Sequence, residues 1–76
     1  PPPADWRLAT HVELERFYEH LTGTLTRLRT KPATTMESYV ARFRRVLSRI
    51  PLETRDVNLL HKLLAKVDEA TARPPD

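Results

Sequence analysis

Two prolines do the most to limit what this chain can become. Pro32 and Pro51 cut it into three stretches, each with apolar residues recurring at three- and four-residue steps. Proline lacks the backbone N–H and crowds the preceding residue out of helical geometry, so a helix stops before each of them. The spacing therefore predicts an all-α fold, a small three-helix bundle with short connections. Helix one is expected over about 10–28, where Leu14, Phe17, Tyr18, Leu21, Leu25 and Leu28 share a face. Thr10 followed by Glu13 has the spacing of a capping box, which fixes its start. Thr34 and Glu37 repeat that spacing and predict a second helix over 34–50, with Met36, Tyr39, Val40, Phe43, Leu47 and Ile50 as its stripe and Phe43 buried. A third helix over 53–70 carries Val57, Leu60, Leu64 and Val67. Leu59 and Leu63 widen that stripe, so helix three either packs between the other two or offers a flank to another chain. The lone Gly23 weakens helix one internally and marks a place for a close helix approach or a bend.

Outside this 10–70 domain, residues 1–9 read as an extended Pro-rich lead-in, with Trp6 expected to pack on its own domain. Residues 71–76, closing on Arg73-Pro74-Pro75-Asp76, read as a frayed end. At 76 residues the core is small, and stability is modest unless a partner adds to it. With no cysteine the chain has no disulfide, thiolate nucleophile or Cys-based zinc site. No apolar run approaches the ~18 residues of a membrane span, and no signal-peptide pattern opens the sequence, so no membrane partner is expected.

Few residues suggest catalysis. His11, His20 and His61 lie too far apart in sequence for a ligand pair on one helical turn, so no metal site is expected and each reads as a partly exposed helix residue. The carboxylate pairs Glu15/Glu19 and Asp68/Glu69 read as solvated charge, since three short helices leave little interior for a pocket that would shift their pKa values. A single glycine rules out a phosphate-cradling loop, and Ser38 and Ser48 have no nucleophile-elbow context. No catalytic residue is assigned.

Charge is more informative in its distribution than in its total of +3. From Arg27 to Arg49 seven cations face Glu37 alone, a local net of +6. Arg42, Arg45 and Arg49 recur at three- and four-residue steps on helix two, and Arg55, Lys62 and Lys66 do so on helix three. These six are the candidate RNA-binding residues, because a row of guanidinium and ammonium groups can follow successive phosphates. The competing reading is that the arginines pair with Glu13, Glu15 and Glu19 of helix one.

The run Ala9-Thr10-His11-Val12-Glu13-Leu14-Glu15-Arg16-Phe17-Tyr18-Glu19-His20-Leu21 resembles the opening of the C-terminal helical domain of TrmJ-type tRNA 2′-O-ribose methyltransferases. Arg42-Phe43-Arg44-Arg45-Val46-Leu47-Ser48-Arg49-Ile50, then Leu52 and Asp56-Val57-Asn58-Leu59-Leu60, are similar to that family's basic helix and final leucine-rich helix, in the same order. The link from Leu28 to Thr34 is shorter than the Gly- and Phe-containing one usual in bacterial members. The resemblance implies an accessory part of a cytoplasmic enzyme, assisting tRNA binding and dimer assembly, with helix three as the face for a homodimer. It implies no cofactor in this chain. S-adenosylmethionine and the methyl transfer to a ribose 2′-hydroxyl would belong to a separate SPOUT catalytic domain, itself a partner. Two other readings stand beside it. Tyr39-Val40-Ala41-Arg42-Phe43-Arg44-Arg45 with Pro51 behind it also looks like a helix of retrotransposon Gag capsid domains, and a plain helical dimerisation or docking module fits the same stripes.

Overall fold

The computed structural model describes residues 3–72 and contains three α-helices: α1 His11–Arg27, α2 Met36–Leu47 and α3 Thr54–Ala72. The all-α, three-helix reading holds, with no strand longer than an isolated bridge among the described residues. Helix α1 starts where the capping box placed it. The Thr10 hydroxyl accepts from Glu13 N–H at 3.2 Å, and Glu13 Oε1 accepts from Thr10 N–H at 2.9 Å. Bonding to that backbone N–H is the main reason the Glu13 carboxyl sits below its ordinary pKa. Thr10→Ala removes the hydroxyl half of this exchange and keeps the backbone N–H that Glu13 accepts from, and thermal melts should show a loss of about 1 kcal/mol.

At its other end α1 closes in a Schellman turn, Thr30 N–H bonding Leu25 O and Arg29 N–H bonding Thr26 O. Arg29 takes the left-handed conformation there (φ 57°), a position that usually falls to glycine. Gly23 serves no such purpose. A side chain added at Gly23 would meet only the Arg27 guanidinium, at 3.4 Å, so no helix approaches it and the helix runs on unbroken.

Helix α2 departs from expectation at both ends. Its cap is Thr35, whose hydroxyl accepts from Ser38 N–H at 3.0 Å, so the Thr34/Glu37 box does not form. Adjacent threonines offer the same acceptor, and Thr35 is the one in the extended conformation (φ −105°, ψ 158°) directly before the first helical residue. The helix stops at Leu47, not Ile50. Pro51 excludes helical geometry at Ile50, and the unwinding spreads back through tight turns, Arg49 N–H to Val46 O and Ile50 N–H to Leu47 O. Arg49 therefore lies beyond the helix.

Helix α1 is the centre of the packing. It carries three of the six buried apolar residues, Phe17, Tyr18 and Leu21, against Val40 of α2 and Val57 and Leu64 of α3. Successive contacts Glu13–Thr54, His20–His61 and Thr24–Asp68 advance together along both helices, so α1 and α3 run parallel. No Cα of α2 comes within 8 Å of α3. Helix α3 thus does not pack between the other two; it lies on α1 and leaves a flank open. Leu59 and Leu63 are 67% and 59% exposed. Phe43, expected in the core, is 36% exposed and meets Tyr39 edge to face at 5.3 Å between ring centres. Only the Val40 side of α2 reaches α1, and no third helix closes over Phe43.

The lead-in to α1 is also tied down. Ala4–Trp6 forms one 3-10 turn, and Leu8 pairs antiparallel with Glu53. Ala9 N–H donates to Leu52 O and Thr54 N–H to Arg7 O, both at 2.9 Å. The expected frayed residues 73–76 and the first two prolines lie outside the described residues.

Candidate nucleic-acid interface

The arginines of the basic segment divide by what they touch. Arg44 turns inward, with its Nη2 2.9 Å from Glu15 and its guanidinium 4.2 Å from the centre of the Tyr18 ring. That hydrogen bond holds the Glu15 carboxyl below its ordinary pKa, while burial lifts the Tyr18 phenol above its own. Pairing with helix one therefore accounts for Arg44. Arg42 and Arg45 remain exposed on α2, Arg49 is exposed in the turn behind it, and none of the three has an ion pair among the described residues. An exposed guanidinium without a carboxylate keeps its donors available for an anion.

The second row is more occupied. Arg55 Nε donates to Glu53 Oε1 at 2.8 Å, and its guanidinium lies 4.9 Å from the centre of the Trp6 ring. Lys66 is 3.9 Å from Glu69, a separation at which exposed ions gain little. Lys62 borders two surface hollows, one beside Asp5, Arg55 and Asn58 and one beside Leu59, Leu63 and Lys66. The α2 and α3 cations belong to helices with no Cα atoms within 8 Å of each other, so they do not merge into one row.

Sequence reasoning missed a polar cluster between α1 and α3. His20 and His61 are 41 residues apart, yet their Nδ1 atoms lie 2.8 Å apart. With ring centres 5.0 Å apart and planes within 26°, the imidazoles meet edge to edge and share a proton along the N–N line. His20 Nε2–H donates to Asp68 Oδ2 at 2.8 Å, and the other Asp68 oxygen accepts from the buried Thr24 hydroxyl at 2.7 Å and from Arg27 at 3.1 Å. The Thr24 bond, and then the His20 bond, hold the Asp68 carboxyl below its ordinary pKa. Burial, with the neighbouring His20, lowers that of His61. The signal was present as His20, Thr24 and Arg27 on one helix face and His61 and Asp68 seven residues apart on another. Only the α1–α3 pairing joins them. No trio of His, Asp or Glu suited to a metal occurs among the described residues, and no described helix is long and apolar enough to cross a membrane.

The three helices share one small core, and the candidate cations lie on the exposed surface. Residues 12–76 match the family model described as the tRNA methyltransferase TrmJ, C-terminal domain. The chain belongs to that family. No curated protein and no solved structure matches it.

Proposed function

We propose that this domain holds tRNA for a methyltransferase whose catalytic domain lies elsewhere, through Arg42, Arg45 and Arg49 with support from Arg55, Lys62 and Lys66. The observation that carries the reading is the division among the arginines: Arg44 is engaged with Glu15 and Tyr18, and Arg42, Arg45 and Arg49 have no ion pair among the described residues. In this reading the domain supplies no methyl transfer. S-adenosylmethionine would be held by the catalytic domain, and both would work in the cytoplasm. The open flank of α3, with Leu59 and Leu63 exposed beside Lys62 and Lys66, favours a second role in joining a homodimer or the catalytic domain.

The test is tRNA affinity across a series of salt concentrations, for the wild type and for Arg42→Ala/Arg45→Ala/Arg49→Ala, with circular dichroism confirming the fold. Each phosphate left without its arginine should reduce the slope of log K against log salt by roughly 0.7–0.9, so the triple variant drops about 2–3 from the slope and binds all tRNAs more weakly. An unchanged affinity and slope would remove these arginines from the interface.

A further inference from the structure

We propose that Trp6 and the hollow beside it accept an unpaired nucleobase of the bound RNA, which rests on the RNA-binding reading above. Trp6 precedes the family match, which begins at residue 12, and it is the one tryptophan of the chain. It is not packed away: the indole is 49% exposed. Its place is nevertheless defined, because the 3-10 turn Ala4–Trp6 is followed by residues bonded to the start of α3. The Arg55 guanidinium lies over the indole, 4.9 Å from its centre, and is itself held by Glu53, while about half of Trp6 faces solvent. A supported, half-exposed aromatic is the element that single-stranded RNA readers use to stack a base, whichever base it is.

The adjoining hollow fits the edge of such a base better than a bare phosphate. About 460 Å³ of open space is bordered by Asp5, Arg55, Asp56, Asn58, Leu59 and Lys62; Trp6 does not line it but shares Arg55 with it, and Asp56 Oδ2 already accepts from Glu53 N–H at 2.8 Å, leaving Oδ1 for a ligand. Two carboxylates there oppose a free phosphate, but a carboxylate accepts from the exocyclic amino group of cytosine, adenine or guanine, which uracil lacks. Asn58 offers both a donor and an acceptor, and Lys62 supplies one cation for the phosphate of the same nucleotide. In a paired stem the base faces are stacked on their neighbours and out of reach, so the hollow selects loops and ends.

Because Trp6 is the sole tryptophan, its fluorescence reports this site without labelling. The chain is titrated with tRNA, with short oligo(C) and oligo(U) ribonucleotides, and with a fully paired RNA duplex. Quenching by tRNA and by oligo(C), weaker with oligo(U) and absent with the duplex, is expected. Trp6→Leu should weaken oligo(C) and tRNA binding roughly 5- to 150-fold with the salt slope unchanged, while Trp6→Phe retains most of the affinity. Asp5→Asn should narrow the preference for oligo(C) over oligo(U). Equal quenching by the duplex, no quenching by tRNA under saturating conditions, or wild-type affinity in Trp6→Leu overturns the proposal. If Leu at position 6 loosens the fold, the wild-type quenching pattern decides alone. The two readings fail separately: a silent Trp6 with a flattened slope in the triple arginine variant sinks only the base site. A chain that binds no RNA sinks both.

Discussion

Phe17→Ala should remove a large share of this domain's stability. Phe17 is 3% exposed and sits in the buried cluster where α1 meets α3, 5.1 Å from the Tyr18 ring centre and 5.8 Å from that of His61. Truncating a buried phenylalanine costs about 3–5 kcal/mol, from the transfer energy of the removed ring and from the cavity that stays behind. A chain of this length has roughly 4–11 kcal/mol in all. Each kcal/mol moves Tm by roughly 4–8 °C in a domain this small, so a fall of about 15 °C or more is expected in a circular dichroism melt. Phe43→Ala is the contrasting control. Phe43 is a third exposed and has one aromatic neighbour of note, so its truncation should cost about 1 kcal/mol. Equal losses in the two variants would mean that the open face of α2 is covered in solution.

Acidification should destabilise the protein by way of the His20–His61–Asp68 cluster. The facing Nδ1 atoms lie 2.8 Å apart, a distance at which protonating both would set two N–H groups against each other. Burial and the neighbouring His20 hold His61 below its ordinary value, whereas in the unfolded chain it titrates at about 6.5. Between the lowered folded value and about 6.5 the unfolded state therefore binds more protons. Stability rises with pH across that window and falls as the solution is acidified through it. Asp68 adds a second loss with the same sign: its folded pKa is depressed, so its contribution is present above the ordinary aspartate range and disappears as pH drops through the folded value. Tm should fall by several degrees between pH 7 and pH 5. His61→Gln, which keeps a hydrogen-bonding group but no titration, should flatten this part of the curve. Parallel curves for the two proteins would show that the pair does not govern acid stability.

The three helices, the Thr10–Glu13 cap and the apolar residues of α1 and α3 were legible in the sequence, because each depends on neighbours within one turn or on a 3.6-residue period. Proline did the same for the breaks, although its effect at Pro51 reached further back than the ring itself and took Arg49 off the helix. Period alone does not say which part of an apolar stripe another helix will cover. Phe43, Leu59 and Leu63 belong to sound stripes, but α2 and α3 both pack on α1 and never on each other, so those residues stay at the surface. Among the candidate cations, the charge run was visible and the partition within it was not. Arg44 and Arg45 are adjacent in sequence, and only the distance from Glu15 and Tyr18 separates the arginine that holds two helices together from the one that faces solvent. The histidine pair makes the same point, since its members are 41 residues apart and meet only because α1 and α3 lie parallel and in register. Local rules determined the helices; the parallel docking of α3 on α1 decided which side chains meet, because contacts between distant residues depend on how helices pack and not on their period.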